Sequence, residues 1–179
     1  MPLPDWLASA RNWPLGDRIM KVAHAGEHGA VQIYRGQMLS ARLAAPGLVA
    51  RLADFASHER RHCAIFAAEL ARRGRPRCTS YWLCGLGGWC LGAVTGLMGR
   101  GAIAATTVAV ERTVLRHLHD YRAALEGVDP EGHRAVSEIL TEEQEHHDAM
   151  HGSARGWARW LDPVVAASTE AVIRIGMRA

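Results

Sequence analysis

The stretch TEEQEHHDAM, residues 141–150, decides the fold of this chain of 179 residues. It contains a Glu-x-x-His pair, Glu143 with His146. Residues three apart on a helix share a face, so these two side chains point in the same direction. Glu142 lies four residues before His146 and satisfies the same condition, so this stretch alone does not choose between the two glutamates.

A second stretch, HERRH, repeats the pattern with Glu59 and His62. Two isolated glutamates settle the register, because Glu27 precedes Glu59 by the same interval by which Glu111 precedes Glu143. One constant offset in sequence therefore maps the first Glu/Glu-x-x-His set onto the second and selects Glu143. The chain duplicates a helical hairpin in these positions, although not in its overall sequence.

Helix signals dominate the chain, and strand signals are almost absent. Pro and Gly interrupt the helical pattern at residues 45–47, 74–76 and 127. Asp129-Pro130 and Asp162-Pro163 each combine an N-cap residue with proline at the first helical position. We predict helices over residues 17–43, 48–73, 101–125, 129–151 and 162–178.

The first four helices are long enough to bring the duplicated residues to one level of a bundle, at about 1.5 Å of rise per residue. Ferritin-like sites for two metal ions typically take one Glu from each of two helices and a Glu-x-x-His pair from each of the other two. Four carboxylates neutralise two divalent iron ions, whereas burying them unpaired is very costly. The predicted ligands are Glu27, Glu59, His62, Glu111, Glu143 and His146.

Other polar residues lie close to these positions in sequence. His24 precedes Glu27 by three residues and therefore lies on the same helix face. It would either contact a metal ligand or be an ordinary histidine of the core. His24, His117 and Asp148 are candidates to contact a ligand from outside the metal site. Glu142 is expected to face solvent in preference to that role. Surface positions are expected for His58, His133 and His151.

Residues 79–99 carry no charge and include six glycines. A buried core helix is one interpretation and a spanning helix is permitted by length, but we favour an apolar helical hairpin on a membrane surface. Glycines every fourth residue form a smooth stripe for close helix packing, and an adjacent cluster, ARRGRPR, suits anionic lipid. The predicted membrane contacts and substrate access residues are Tyr81, Trp82, Gly88, Trp89, Gly92 and Gly96.

Composition limits the remaining possibilities. The length suits a single domain over residues 1–179, with an N-terminal arm at 1–16. A net charge of +3 gives no argument for a nucleic-acid partner. The four cysteines form no CxxC pair, which excludes zinc-ribbon and rubredoxin sites. No export signal or transit peptide is apparent at the N-terminus, so the thiols are expected to be reduced.

Four stretches together resemble the demethoxyubiquinone hydroxylase family: KVAHAGEHGAVQIYRGQ, HERRHCAIF, GAVTGLMGRGAIAATTVAVE and EEQEHHD. The resemblance covers residues 18–178 and implies the same six ligands. It also implies a ferritin-like di-iron monooxygenase that hydroxylates the ring of a polyprenylated demethoxyubiquinone with O2 and NADH or another reductant. Two departures from the family pattern are Ala23, where Asp is common, and Leu118, where Tyr is common.

The resemblance further implies a peripheral membrane protein on the cytoplasmic face of a bacterial membrane, or on the matrix face of the mitochondrial inner membrane. A partner that presents the lipid substrate is compatible with this location. The main alternative is a ferritin-like iron oxidase or iron-handling protein without an organic substrate. A rubrerythrin-like peroxidase would bring a four-cysteine iron site, and a membrane scaffold would not need six ligands in register.

Overall fold

The computed structural model describes residues 13–153, 158 and 160–178, and within them the regular secondary structure is helical. Most of the predicted N-terminal arm lies outside the described residues, and Leu15 already begins the first helix. All five predicted helices are confirmed, with ends within two residues of those expected. The elements are α1 (Leu15–Ala44), a 3₁₀ turn (Pro46–Leu48), α2 (Val49–Arg72), α3 (Tyr81–Leu97), α4 (Arg100–Leu125), α5 (Pro130–His151) and α6 (Leu161–Arg178).

The first, second, fourth and fifth helices form a ferritin-like four-helix bundle, which confirms the predicted fold class. α1 packs along α2, and α4 packs along α5. α3 lies along the outside of α1 and connects the two hairpins, while α6 covers α4 and part of α1. The predicted start of α5 is confirmed, because the side chain of Asp129 accepts a hydrogen bond from the backbone N–H of Gly132 at 3.0 Å.

Two apolar clusters fill the bundle, one on each side of a polar layer. Ile19, Phe66, Leu118, Val136 and Ile139 belong to the first cluster. The second cluster includes Tyr34, Leu52, Phe55, Ile103 and Met150. Each of the four bundle helices contributes to both clusters, and the predicted ligands occupy the level between the two. The charged layer is therefore sealed from water above and below by packed side chains.

The uncharged segment forms one helix, α3, rather than a hairpin within residues 79–99. Glycines allow its backbone to touch the backbone of α1, because a Cβ atom at Gly92 would overlap the carbonyl oxygen of Ile33. At Gly96 a Cβ atom would lie 2.8 Å from the carbonyl oxygen of Gln37. Six glycines suggested breaks in the segment, but this close helix contact outweighs their low helix propensity.

The opposite face of α3 is apolar and exposed. Trp82, Leu83 and Leu86 are 69 %, 64 % and 65 % exposed, and Trp89 is 41 % exposed. The interpretation of this segment as a buried core helix is therefore wrong for this face. No helix among the described residues is long and apolar enough to cross a membrane.

The basic cluster next to α3 is mostly engaged in ion pairs. Arg73 is nearly buried and contacts Asp17, Glu69 and Asp129, with its Nη1 atom 3.2 Å from Asp17 Oδ1. Arg75 binds the other oxygen of Asp17 at 2.6 Å. The network joins the start of α1, the end of α2 and the N-cap of α5, so these arginines stabilise the bundle end.

Replacing Arg73 with alanine is expected to lower the free energy of unfolding by about 3 kcal/mol, because it leaves Asp17 and Asp129 without their shared cation in a poorly hydrated site. Arg72 is the matched control, since it is exposed and its ion pair among the described residues is with Glu69 at 2.8 Å. Arg72→Ala should leave the midpoint of urea unfolding close to that of the wild type, because an exposed ion pair contributes little. Urea unfolding measures both, and equal effects would contradict the assignment.

Candidate metal centre

The six predicted ligands meet at the level between the two apolar clusters. Their ligand atoms form two groups, each within 4.8 Å, and the two groups share Glu59 and Glu143. Glu27 and His62 complete the first group. In the second group, the shared glutamates are joined by Glu111 and His146. Each group would be able to hold one metal ion, and Glu59 and Glu143 would be available to both.

Each histidine turns its Nδ1 atom toward the carboxylates. His62 Nδ1 lies 2.9 Å from Glu143 Oε1 and 3.6 Å from Glu59 Oε2. His146 Nδ1 lies 3.0 Å from Glu59 Oε1. Although these distances are short, His62 Nδ1, His146 Nδ1, Glu59 Oε1 and Glu143 Oε1 are buried without a partner at hydrogen-bond geometry among the described residues. Buried polar atoms need partners, and a pair of divalent cations between them would supply these partners, so the donor set fits two metal ions.

Burial raises the pKa of all four carboxyl groups. Loss of hydration raises the pKa of Glu27 and of Glu143 from 4.5 to about 7. The same loss, together with the neighbouring carboxylates, raises the pKa values of Glu59 and Glu111. Burial also lowers the pKa of His146, which favours the neutral imidazole that binds metal. The site without cations therefore retains protons that metal binding must displace.

These shifts predict a pH dependence of the metal-free protein. Between pH 4.5 and about 7 the folded state binds more protons at Glu27 and Glu143 than the unfolded state does, so stability falls as pH rises through this interval. Each carboxyl group contributes about 3 kcal/mol to the fall. Thermal unfolding at pH 5.5 to 8 should show this decline, and metal loading should abolish it. The lowered pKa values of His24 and His146 act in the opposite direction below about pH 6.5, so the absence of any decline between about pH 6.5 and 7.5 is the result that would contradict the raised carboxyl pKa values.

Three residues that contact the predicted ligands were not expected to do so. His62 Nε2 lies 2.9 Å from Glu142 Oε2, so the preference for Glu142 in solvent is wrong. His146 Nε2 lies 3.0 Å from His58 Nδ1, so His58 is not an ordinary surface histidine.

The third is Tyr34, which donates a 2.6 Å hydrogen bond to Glu111 Oε1. Two sequence signals could have indicated these residues. The sequence offset that relates the two sets of predicted ligands also maps His58 onto Glu142. Tyr34 follows Glu27 by two helical turns, so Tyr34 and Glu27 lie on one face of α1.

The residues proposed to contact ligands from outside occupy different places. His24 is buried against Tyr81 of α3, with 4.9 Å between the ring centres. His117 is buried on α4, and its Nε2 atom lies 2.9 Å from Glu170 Oε2 of α6. Asp148 is exposed and contacts Gln144 and His147, which are not among the predicted ligands. The structure therefore places Asp148 outside the metal layer, because its position on α5 turns it toward solvent.

A cavity of about 360 Å³ leads away from the carboxylates, between α1, α3, α4 and α6. All four glutamates line it and the two ligand histidines do not, so its inner end is the carboxylate side of the site. Its walls are otherwise mainly apolar. Both departures from the family pattern lie in this lining, which includes Ala23, Leu91, Val110, Leu118, Tyr121, Val172 and Ile173.

The cavity reaches α3 at residues that only partly match the predicted access set. α3 lines it with Leu83, Cys84, Gly87, Gly88 and Leu91, so Gly88 alone of the predicted six lies in the wall. Trp82 and Trp89 lie on the exposed face, and Tyr81 stacks on His28, while Gly92 and Gly96 pack on α1. Leu83 lines the cavity and is also 64 % exposed, so the cavity meets the apolar surface.

Comparison with known proteins identifies this architecture. Residues 15–176 match the family model described as ubiquinone biosynthesis protein COQ7. A Caenorhabditis elegans protein named NADPH-dependent 3-demethoxyubiquinone 3-hydroxylase, mitochondrial, is 31 % identical over 163 residues, which cover 86 % of each chain. A Mus musculus protein of the same name is 36 % identical over 138 residues. A Rhodospirillum rubrum 3-demethoxyubiquinol 3-hydroxylase is 36 % identical over 135 residues.

The lengths of the matched regions differ among these relatives. The alignments cover 74 % of this chain but only 62 % of the mouse and Rhodospirillum proteins. The family model nevertheless spans the whole four-helix bundle, α3 and nearly all of α6. Because that match includes every element that forms the buried Glu/His layer, the chain belongs to the COQ7 family of ubiquinone biosynthesis proteins.

Proposed function

We propose that this chain is a monooxygenase that hydroxylates the ring of a polyprenylated demethoxyubiquinone or its quinol. The observation that carries the proposal is the mainly apolar cavity that joins four buried carboxylates to the exposed face of α3. An iron oxidase without an organic substrate has no need of such a cavity. The names of the relatives support the same reaction.

The proposed ligands are the six residues Glu27, Glu59, His62, Glu111, Glu143 and His146. When bound there, two iron ions would supply the activation of O2. One oxygen atom replaces a ring hydrogen as a hydroxyl group, and the other leaves as water. The two electrons needed come from a reductant of the NADH or NADPH class, directly or through a carrier, as the names of several relatives suggest.

The surrounding residues would prepare the site for this chemistry. The Tyr34 hydroxyl holds Glu111 in one orientation. The apolar walls of the cavity exclude water and leave the ring beside the carboxylate face of the site. Leu83 and the glycines of α3 make the outer end of the cavity apolar, which suits a prenyl tail. The substrate could thus enter from lipid while its ring alone passes into the protein.

The proposed location is a membrane surface, held by the exposed face of α3. Burying large apolar side chains contributes about 1.5–3 kcal/mol each. Arg77 packs over Trp82 at the start of this face, with 5.5 Å between the guanidinium carbon and the ring centre, and would add attraction to anionic lipid. A lipid-presenting partner could use the same face during substrate transfer.

Replacing Trp82, Leu86 and Trp89 together with serine should weaken binding to anionic vesicles at least tenfold, because the variant loses three large apolar side chains that would enter the lipid. Co-sedimentation with vesicles measures the binding. Val128→Ser is the matched control, since Val128 is 75 % exposed in the connection between α4 and α5. Equal binding by the triple variant and the wild type would rule out α3 as the membrane contact.

The reaction itself is tested with purified protein in vesicles that contain demethoxyubiquinone, a reductant and isotopically labelled O2. Mass spectrometry should find one labelled oxygen atom in the ring. Oxidation of ferrous iron without any labelled quinone, across a series of tail lengths, would overturn the hydroxylase proposal in favour of iron oxidation.

A further inference from the structure

The two ligand histidines are supported from outside by residues at equivalent positions of the duplicated hairpin. Glu142 directly precedes Glu143 and contacts His62, whereas His58 directly precedes Glu59 and contacts His146. Each hairpin therefore supports the histidine of the other. The two positions are related by the same offset that relates the ligands, yet one carries a carboxylate and the other an imidazole.

His62 is supported by a carboxylate, Glu142, which is itself held by an arginine. Glu142 Oε2 accepts a hydrogen bond from His62 Nε2–H at 2.9 Å, and the same carboxylate is paired with Arg61. An Nε2 atom that carries the proton leaves the Nδ1 lone pair directed at the metal layer. Because Arg61 holds the carboxylate in place, the ring of His62 is fixed in both tautomer and orientation.

The support of His146 is a second imidazole with a weaker anchor. For its Nδ1 lone pair to face the metal layer, His146 must donate its Nε2–H to His58 Nδ1, which lies 3.0 Å away. His58 then carries its own proton on Nε2, and that atom is 3.7 Å from the exposed carboxylate of Asp54. This distance is too long for a hydrogen bond, so His58 is held less firmly than Glu142.

We propose that Glu142 and His58 are positioning residues, each of which sets the affinity of one metal position, and that the Glu142–Arg61 pair makes the His62 position the tighter of the two. The inference rests on the two-metal site of the proposed function. Outer hydrogen-bond partners of a metal-binding histidine change metal affinity by about 10- to 100-fold. The metal ions should therefore bind in two resolved steps.

Titration of the metal-free protein with Co²⁺, followed by calorimetry and by the visible absorption of bound Co²⁺, tests this order. The wild type should bind two ions with affinities about tenfold or more apart. Glu142→Ala should weaken the tighter step and bring the two steps together. His58→Ala should weaken the looser step and move them further apart. These opposite changes distinguish positioning from a general loss of structure.

Two controls sharpen the result. Glu145→Ala alters another carboxylate of α5, and His119→Ala alters an exposed histidine of α4, and both should leave the two steps unchanged. Glu142→Gln keeps a hydrogen-bond acceptor and should recover part of the affinity lost in Glu142→Ala. Thermal unfolding without metal should be nearly the same for all of these variants.

The outcomes separate this inference from the function on which it rests. Two bound ions with equal affinities in the wild type, or the same shift in both alanine variants, would overturn the assignment of Glu142 and His58 alone. Failure of the wild type to bind two ions would overturn the two-metal site as well.

Discussion

The Glu143→Ala protein is expected to bind neither of the two proposed metal ions and to lose the proposed quinone hydroxylation, and yet to be more stable than the metal-free wild type. Glu143 belongs to both groups of ligand atoms, so its loss removes a bridge from both metal positions. It is also buried with a pKa raised to about 7 by loss of hydration, so the metal-free fold keeps it at a cost that alanine removes. Metal analysis and thermal unfolding measure the two effects.

Glu111→Ala provides the comparison for this prediction. Glu111 belongs to only one of the two groups, so this variant should retain about one metal ion per chain. Glu145→Ala should retain both ions, because Glu145 is exposed on α5. Retention of two ions by Glu143→Ala, or equal losses in the variants of Glu143 and Glu111, would contradict the bridging role.

A single methyl group at Gly92 is expected to impair the proposed hydroxylation while leaving the proposed metal ligands in place. Its Cβ atom would overlap the carbonyl oxygen of Ile33, a backbone atom that cannot move by changing rotamer. α3 must then separate from α1, which we expect to lower the free energy of unfolding by about 1–3 kcal/mol. The separation would also distort the cavity wall at Gly88 and Leu91, so hydroxylation should fall far more than metal content.

Gly87→Ala is the matched control on the same helix. A Cβ atom at Gly87 meets nothing within 4 Å, so alanine there should stabilise α3 by about 0.5–1 kcal/mol through its helix propensity. Urea unfolding and metal analysis compare the two variants, and Gly87→Ala is a control for these two measurements only, because Gly87 also lines the cavity. Similar stability in both would mean that α3 does not depend on backbone contact with α1.

The sequence predicts the buried Glu/His layer well because the spacing of these residues and the helix period are both fixed quantities. A spacing that recurs in the two halves of the chain selected six residues that do come together in the bundle. The outer supports are harder to predict, because the residue before each glutamate points about 100° away from it around the helix. Whether His58 or Glu142 meets solvent or a neighbouring histidine depends on the rotation of two helix pairs, which a single sequence does not specify.

The uncharged segment at residues 79–99 shows what composition alone does not predict. Composition indicated correctly that residues 79–99 are unlike the rest of the chain, but it did not distinguish one helix from two. Glycine is a poor helix former in isolation, and the contact that rescues it here comes from α1, which is separated from α3 by the whole of α2. The cavity was likewise beyond prediction, since its wall combines residues from several helices.

The glycine contact between α1 and α3 has a mechanical consequence. Side chains between helices act as compliant spacers, because they absorb small displacements by changing rotamer. The seam at Gly92 and Gly96 has backbone atoms on both sides and therefore behaves as a stiff joint. α1 carries Glu27 on another of its faces. A tilt that the surroundings impose on α3 would therefore move α1 as a whole, and the Glu27 carboxylate in the buried layer would move with it.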